Sequence, residues 1–251
     1  MTAPTKIALI TGGSRGIGAA TARVLAHQGY RICINYRDNL QAATVLQQEL
    51  LAICEHVVIK QADVAQESEV VELFEYIDEH LGTITALVNN AGILKQQCRL
   101  QDLTAERINE VLLTNVTGSF LCAREAVKRM STALGGQGGA IVNVSSAASY
   151  TGAPQEYVDY AASKGAMDSM TKGLSLEVAA EGIRVNSVRP GCIYTDMHAD
   201  GGEAGRVDRL APLIPMQRGG QPEEVANAIA WLLSDEASYA TGTFIDLAGG
   251  R

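Results

Sequence analysis

Short runs of apolar and β-branched residues alternate with longer segments of helical periodicity along the whole chain. The short runs have the length of buried strands, and the longer segments have the length of amphipathic helices. Strands are predicted at residues 6–11, 31–36, 56–60, 84–89, 139–145, 183–190 and 243–247. Helices are predicted at residues 16–28, 40–53, 67–81, 104–132, 157–181 and 222–234.

This alternation predicts right-handed βαβ crossovers, in which each strand is followed by a helix that covers one face of the sheet. The predicted fold class is therefore α/β, with a doubly wound, Rossmann-type parallel sheet of seven strands and helices on both faces. No Pro/Ser-rich linker, charge block or internal repeat divides the 251 residues. We therefore predict a single domain over residues 1–251.

Residues 192–216 interrupt the alternation, because they contain three glycines and two prolines and have weak periodicity. A loop of this length inside a compact domain is usually functional. We predict that it borders a substrate site, and a plain surface insertion is the alternative. His198, within this segment, could contact the substrate, but an exposed loop position is the stronger expectation.

The composition excludes several classes of function. A net charge of −8 argues against a nucleic-acid-binding surface, which is usually basic. The five cysteines form no CxxC pair and are odd in number, which favours reduced thiols over a disulfide framework or a zinc site. The four histidines have neither HxxxH nor HExxH spacing, so we predict no bound metal.

The apolar stretches are also short. The one before the first glycines has six residues, too few for the core of a signal peptide, and none approaches the length of a membrane span. We therefore predict a cytoplasmic protein that does not interact with membranes.

Glycine, small polar and charged residues follow each of the first six predicted strands. The opposite strand ends carry mostly glycines that stop helices, together with charged residues. Ligands of open parallel sheets bind beyond the carboxyl ends of the strands. This asymmetry predicts a binding site along one edge of the sheet.

Three motifs lie at that edge. TGGSRGIG, at residues 11–18, places glycines between a strand and a helix, where they permit a tight turn and leave free N–H groups for a phosphate. Alone it is weak, since similar turns occur in flavoproteins and methyltransferases. NNAG, at residues 89–92, and YAASK, at residues 160–164, follow it.

In this order and at these intervals, the motifs resemble those of the short-chain dehydrogenase/reductase family. The resemblance extends from TGGSRGIG to the terminal GTFIDLAGG, which is practically the whole chain. Within this family, the chain resembles the 3-oxoacyl-reductase-like and glucose-1-dehydrogenase-like members. The resemblance implies an enzyme that transfers hydride between a nicotinamide cofactor and a carbonyl or alcohol carbon.

The resemblance also implies four catalytic residues. Tyr160 would be the acid in reduction and the base in oxidation, and Lys164 would lower its pKa and hold the nicotinamide ribose. Ser146 would polarise the substrate oxygen, and Asn115 would hold a water. Thirteen residues separate Ser146 from Tyr160, one more than the commoner family spacing, and Ser145 is the alternative serine.

Each of these assignments has a structural alternative. Tyr160 and Lys164 alone would fit an ordinary amphipathic helix, but the serines at the preceding strand end weigh against that interpretation. Asn115 would fit a residue that caps or kinks a long helix near Gly118.

The predicted cofactor site is larger. The resemblance assigns Asp63 to the adenine, the turn at residues 89–92 to the adenosine ribose, and the segment at residues 190–195 to the carboxamide. The full predicted set is Gly12, Ser14, Arg15, Gly16, Ile17, Gly18, Asn35, Tyr36, Arg37, Asp63, Val64, Asn89, Ala91, Gly92, Tyr160, Lys164, Pro190, Gly191, Ile193 and Thr195.

The charges near the second strand favour NADP(H) over NAD(H). NAD sites usually place a carboxylate at this strand end, where this chain has Asn35. Arg15 and Arg37 suit a 2′-phosphate. A shift of one residue would bring Asp38 to the ribose, so NAD(H) stays possible.

The substrate is a small carbonyl or alcohol compound whose identity the sequence leaves open. The predicted pocket contains Ser146, Ala148, Cys192 and Met197. The leading hypothesis is a ketoreductase of the 3-oxoacyl type. The alternatives are an NAD(P)-linked sugar or polyol dehydrogenase and a non-catalytic dinucleotide-binding regulator. The resemblance further implies a homotetramer. The helices at 104–132 and 157–181 are candidate interface elements, although their extra apolar positions could equally pack against the sheet.

Overall fold

The fold is taken from a computed structural model that describes residues 5–251. Seven strands form one parallel sheet in the order β3-β2-β1-β4-β5-β6-β7. The strands are β1 (Ile7–Ile10), β2 (Arg31–Tyr36), β3 (Val57–Gln61), β4 (Ala86–Asn89), β5 (Gly139–Val144), β6 (Ile183–Pro190) and β7 (Phe244–Leu247). The predicted α/β, doubly wound fold is confirmed.

Helices cover both faces of the sheet. They are α1 (Gly16–His27), α2 (Leu40–Leu51), α3 (Glu67–His80), α4 (Ala105–Leu112), α5 (Gly118–Met130), α6 (Ala148–Thr151), α7 (Val158–Glu177), α8 (Met197–Asp200), α9 (Arg206–Leu210) and α10 (Pro222–Leu233). Among the described residues, no helix combines the length and the apolar character that a membrane crossing requires.

Alternation along the strands produces two buried cores. In β1, Ala8 and Ile10 belong to a core with residues of α1, α2 and α10, whereas Ile7 and Leu9 belong to one with residues of α3, α5 and α7. Both faces of a central strand are therefore buried, which explains why its sequence is continuously apolar. The strand order reverses between β1 and β4, and this reversal opens a crevice at their carboxyl ends.

The helix predicted at residues 104–132 is present as one helical run over residues 105–130, but its type changes along its length. The structure has α4, then a π-helical segment at Leu113–Thr117, then α5, which ends at Met130. Gly118 packs against Val64, three residues beyond the end of β3, since a Cβ at Gly118 would lie 2.7 Å from Val64 Cγ2 and 2.9 Å from its carbonyl oxygen. Asn115 lies within the π-helical segment, and such segments frequently mark functional positions.

Smaller differences concern element ends and the irregular segment. The helix predicted at 157–181 ends at Glu177, because Gly182 (φ +76°) turns the chain into β6 after a single 3-10 turn. Residues 192–216 contain α8, α9 and a 3-10 turn rather than a featureless loop, and we call them the lid segment. The helix α6 was not predicted, since its four residues are too few to show a period.

Candidate active site

Two adjoining cavities occupy the carboxyl edge of the sheet. The first, which we call the β1–β4 cavity, has a volume of about 380 Å³. It is lined by Gly12, Ser14, Arg15, Gly16, Ile17, Asn35, Tyr36, Arg37, Asp38, Asn39, Ala62, Asp63, Val64, Asn90, Ala91, Gly92, Ile93, Thr114, Thr195, Asp196 and Met197. Most of the predicted cofactor residues are in this set.

The second, which we call the β5–β6 cavity, has a volume of about 470 Å³ and lies between β5, β6, α7 and the lid segment. Its walls include the predicted residues Ser146, Ala148, Tyr160, Lys164, Pro190, Gly191, Cys192, Ile193, Thr195 and Met197. Ile17, Asn90, Thr195 and Met197 line both cavities, so the two are continuous.

The glycine turn after β1 can receive a phosphate. Gly12 and Gly16 have positive φ angles of +57° and +53°, which favour glycine. A Cβ at Gly18 would lie 2.7 Å from both Asn90 Nδ2 and the Gly12 carbonyl oxygen, so only glycine lets α1 approach the turn. No side chain caps the N-terminus of α1 and its first turn has no acidic residue, so its N–H groups can bind an anion.

Asn35 supports this turn through hydrogen bonds with backbone groups. The Gly12 N–H donates to its side-chain oxygen at 3.2 Å, and its amide nitrogen donates to the Ala62 carbonyl at 2.9 Å. The residue is buried, and β2 ends one residue later, at Tyr36. Asn35 also lines the β1–β4 cavity near the end of β2, where NAD sites usually place a carboxylate, and its side chain is bonded to backbone groups.

Asn89 is displaced from its predicted place. As the last residue of β4 it points into the core, where its amide nitrogen donates to the Ser119 carbonyl and to Asn143 Oδ1 at 3.0 Å. The next residue, Asn90, lines both cavities and donates to the carbonyls of Thr11 and Gly12. Successive side chains along an extended chain point to opposite faces, so these two neighbouring asparagines have different roles.

Both arginines invoked for a 2′-phosphate lie at the rim of the β1–β4 cavity, paired with carboxylates. Arg15 is 2.5 Å from Asp200 of α8, and Arg37 is 2.6 Å from the neighbouring Asp38. All four side chains are about half exposed or more. Such pairs are weak in water, so either guanidinium can exchange its partner for a phosphate.

Tyr160 and Lys164 lie one turn apart on α7 and both line the β5–β6 cavity. The ammonium of Lys164 is 5.6 Å from the centre of the Tyr160 ring and donates to the Val144 carbonyl at 2.7 Å. Burial lowers the pKa of Lys164 to about 8, and Asp168 opposes that change.

The pKa of Tyr160 differs from the sequence prediction. Burial raises it to about 12, and only a hydrogen bond with Ser146 acts in the opposite direction. Lys164 is not among the groups that lower the pKa of Tyr160, and its ammonium donates to the Val144 carbonyl. At neutral pH the phenol is therefore protonated, as a proton donor must be.

Ser146 follows β5 and lies beside Tyr160. Its hydroxyl accepts a hydrogen bond from the Ala148 N–H at 3.1 Å and is 3.5 Å from the Pro190 carbonyl oxygen. Ser145, the alternative, is buried and donates to the Lys164 carbonyl at 3.1 Å. The structure therefore favours Ser146 as the serine available to a ligand.

Asn115 lies in the π-helical segment, fully buried. The Ile93 N–H donates to its side-chain oxygen at 2.8 Å, and its amide nitrogen donates to the Ile93 carbonyl and to Ser163 Oγ. A Cβ at Gly92 would lie 3.4 Å from the Asn115 oxygen and 3.6 Å from Lys164 Nζ, so this glycine keeps the two close. The asparagine joins the loop after β4 to α7.

The lid-segment wall contains an ion pair that sequence reasoning missed. Arg206 forms a two-point ion pair with Glu156 at 2.7 and 2.5 Å, its side chain is 13% exposed, and both residues line the β5–β6 cavity. The Tyr157 hydroxyl donates to the Gly201 carbonyl at 3.2 Å and lies beneath Arg206. Alternating charges at 203, 206 and 209 were visible in the sequence, but their partners at 156 and 97 are distant.

His198 also differs from its expected exposure. Its Nε2 is 2.9 Å from the Ile193 carbonyl oxygen, the residue lines the β5–β6 cavity, and burial lowers its pKa. Within residues 5–251, no three His, Cys, Asp or Glu side chains are grouped as a metal site would require.

The chain matches the family model described as enoyl-(acyl carrier protein) reductase over residues 12–251. The oxidoreductase YgfF of Escherichia coli (strain K12), described as uncharacterized, is 65% identical to it, across 98% of this chain and 99% of that protein. The 3-oxoacyl-[acyl-carrier-protein] reductase FabG of Staphylococcus aureus (strain Mu50 / ATCC 700699) is 36% identical, across 98% of each chain.

The 3-oxoacyl-[acyl-carrier-protein] reductase of Synechocystis sp. is 38% identical, across 100% of this chain and 98% of that protein. A crystal structure of a short-chain type dehydrogenase/reductase from Mycobacterium marinum has a TM-score of 0.91 and 34% identity, and the match covers 98% and 94% of the two chains. The chain therefore belongs to the short-chain dehydrogenase/reductase family, and it is an oxidoreductase. Members of this family bind a nicotinamide dinucleotide.

Proposed function

We propose that the chain is an NADP(H)-dependent ketoreductase of the 3-oxoacyl type, with Tyr160 as general acid and base. One observation carries the proposal: Tyr160, Lys164 and Ser146 line one cavity, which is continuous with the cavity around the glycine turn. A proton donor and a dinucleotide site thus adjoin.

The residues of the β1–β4 cavity fit a dinucleotide. The uncapped N-terminus of α1 would bind the pyrophosphate, Asp63 and Val64 would contact the adenine, and the turn around Ala91 would lie beside the ribose. Lys164 would hold the nicotinamide ribose. When bound, this cofactor supplies the hydride that carbonyl reduction requires.

The remaining chemistry belongs to the β5–β6 cavity. As the carbonyl oxygen gains negative charge, Tyr160 donates its phenolic proton to it and Ser146 donates a hydrogen bond. The raised pKa of Tyr160 supports the reductive direction, because the phenol holds its proton at neutral pH. In the oxidative direction, the same residue would first have to lose that proton.

Arg15 and Arg37 support NADP(H), because they are the guanidinium groups at the rim of the β1–β4 cavity. Asp38 favours the second candidate, an NAD-linked sugar or polyol dehydrogenase, since its carboxylate lines the same cavity and could bind ribose hydroxyls. The relatives named as 3-oxoacyl reductases support the first candidate.

A homotetramer also belongs to the proposal. Leu112, Leu113 and Phe120 are 37, 47 and 51% exposed around the π-helical segment, and Leu176 of α7 is 70% exposed. Large exposed apolar side chains on neighbouring helices suit burial against another copy of the chain.

The test measures the oxidation of NADPH and NADH by the purified protein with an acetoacetyl thioester and with simple ketones, and the reduction of NADP⁺ and NAD⁺ with glucose. We expect thioester reduction with NADPH. Tyr160→Phe should lower the turnover number about 10²–10⁴-fold and leave the dissociation constant for NADPH unchanged. Full activity of Tyr160→Phe would refute the role of Tyr160, and glucose oxidation with NAD⁺ alone would support the second candidate.

A further inference from the structure

Asp168 continues the line of polar residues on α7 that begins at Tyr160. Tyr160, Lys164 and Asp168 are spaced four residues apart, so they share one side of the helix. Tyr160 and Lys164 line the β5–β6 cavity, whereas Asp168 lies one turn further along and is 18% exposed. A carboxylate is therefore carried one helical turn beyond the residue that bears the buried ammonium.

The carboxylate of Asp168 is held from one side only. Its Oδ2 is 3.0 Å from Arg189 Nε. Its Oδ1 is buried, and it has no hydrogen-bond partner among residues 5–251. One oxygen of a buried carboxylate therefore keeps its charge uncompensated by hydrogen bonds, and this is costly unless a cation lies nearby.

Arg189 is itself fixed. It lies one residue before the end of β6, its guanidinium carbon is 4.1 Å from the centre of the Phe244 ring, and its NH1 is 3.4 Å from Asp246 Oδ1. Asp168 and Asp246 thus flank one arginine, but only Asp168 is on the helix that carries Lys164. This pair of carboxylates provides a matched comparison.

Lys164 needs a counter-charge. It is 4% exposed, and its one hydrogen bond within residues 5–251 goes to a backbone carbonyl. The other neighbours of its ammonium are uncharged: the Asn115 side chain and Gly92 on one side and the Tyr160 ring on its own helix. Burial lowers the pKa of Lys164, and Asp168 is the group that opposes this effect.

We propose that Asp168 is a positioning residue that keeps the ammonium of Lys164 charged and in place, with Arg189 holding the Asp168 carboxylate against α7. This inference rests on the proposed function of Lys164, but the pairing of Tyr160 with Lys164 does not by itself require an acid at residue 168. Asp168 touches neither substrate nor cofactor and acts only through Lys164.

The experiment titrates Lys164 directly. Full-length protein is prepared with ¹³C-labelled lysine, the Cε signal of Lys164 is assigned with Lys164→Arg, and its shift is followed from pH 6 to pH 10. Asp168→Asn should move the midpoint downwards by about one pH unit, because it removes a negative charge near a buried cation. Asp246→Asn is the matched control. It should change the midpoint by no more than about a fifth of the shift expected for Asp168→Asn.

A second variant has the opposite sign. Arg189→Gln removes a positive charge near the same carboxylate, so the midpoint of Lys164 should rise. This result would support the proposal even if Asp168→Asn failed to fold. An unchanged midpoint in Asp168→Asn, or an equal shift in Asp246→Asn, would overturn it.

Kinetics separate this proposal from the proposed function. If Lys164 must be charged, the alkaline limb of the turnover number against pH should move with the NMR midpoint in Asp168→Asn. An NMR shift in a protein that reduces no carbonyl compound would overturn the proposed function and leave the role of Asp168 intact. Reductase activity together with an unshifted midpoint would support the proposed function and overturn the role of Asp168.

Discussion

The β1–β4 and β5–β6 cavities adjoin, yet their walls are built differently. The β1–β4 cavity is formed mainly by strand ends and the glycine turn, whose geometry is fixed by backbone hydrogen bonds and by Asn35 and Asn90. The β5–β6 cavity has one wall from the lid segment, which side-chain ion pairs hold in place. Ligand binding in the β1–β4 cavity should therefore be most sensitive to steric changes at glycines. Ligand binding in the β5–β6 cavity should be most sensitive to the loss of single charges.

The largest effect is expected at Gly18, in the backbone-built half. In Gly18→Ala the new Cβ would lie 2.7 Å from Asn90 Nδ2 and 2.8 Å from Gly13 Cα, so the turn must shift. We expect the binding of NADPH to weaken about 100-fold and stability to fall by about 1–3 kcal/mol. Calorimetric titration and urea unfolding would measure the two changes.

Gly173→Ala is the matched control, since a Cβ at Gly173 of α7 has no neighbour within 4 Å. It should raise the free energy of unfolding by about 0.5–1 kcal/mol through helix propensity and leave the affinity for NADPH unchanged. Equal losses in both variants would mean that tight packing at Gly18 does not shape the cofactor site.

The second effect concerns the rim of the same cavity. Arg37→Gln should raise the Michaelis constant for NADPH about 30-fold, because it removes a charged partner of the 2′-phosphate, and should leave that for NADH nearly constant. Arg23→Gln is a close control, since Arg23 also forms an exposed pair with a carboxylate, Glu49 at 2.7 Å, outside both cavities. Parallel changes with both cofactors would argue against a phosphate contact at Arg37.

The third effect tests the junction of the two cavities, where Lys164 is buried. Its pKa of about 8, against an ordinary 10.5, means that the protonated form costs the fold about 3 kcal/mol. Lys164→Met leaves the Val144 carbonyl without this donor, which costs about 1 kcal/mol. The variant should therefore be inactive and yet about 2 kcal/mol more stable than the wild type at pH 7.

The stability difference between Lys164→Met and the wild type should depend on pH, and its sign follows from proton linkage. The unfolded chain binds the extra proton between pH 8 and 10.5, so the wild type gains stability relative to the variant through that window. The advantage of Lys164→Met is complete below pH 8 and should shrink by pH 9.5. Urea unfolding at one fixed protein concentration, at pH 7 and 9.5, would measure it. An advantage that does not change with pH would show that the burial of charge is not its cause.

The same contrast between the two halves explains how far the sequence could predict the molecule. Strand positions and the glycine turn follow from periodicity and local chemistry, so the fold class and most of the β1–β4 cavity were predicted correctly. Asn89 was misassigned because a strand alternates its faces, and an error of one residue exchanges core and cavity. The domain limits, catalytic roles and cytoplasmic location stay predictions.

Non-local contacts account for most of what the sequence did not predict. Arg206 is fifty residues from Glu156, and the pair of Asp168 and Arg189 joins a helix to a strand, so neither has a local signature. The π-helical segment around Asn115 adjoins Gly118, whose contact with Val64 forms only in the folded chain. The raised pKa of Tyr160 likewise reflects burial, which the spacing of Tyr160 and Lys164 cannot predict.

The smallest expected effect lies in the lid segment. In Arg206→Met the two-point ion pair with Glu156 is lost, and Glu156, in the wall of the β5–β6 cavity, keeps only the longer contact of 3.7 Å with Arg209. We expect the Michaelis constant for the carbonyl substrate to rise about 10-fold, which corresponds to about 1.4 kcal/mol, with an unchanged dissociation constant for NADPH.

Arg209→Met is the control, because Arg209 pairs with Glu203 in the same network but does not line the cavity. It should change the Michaelis constant less than about twofold, since exposed pairs contribute little. If Arg206→Met weakened NADPH binding as much as substrate binding, the two cavities would respond as one unit, and the separation of a backbone-built half from a charge-held half would be wrong.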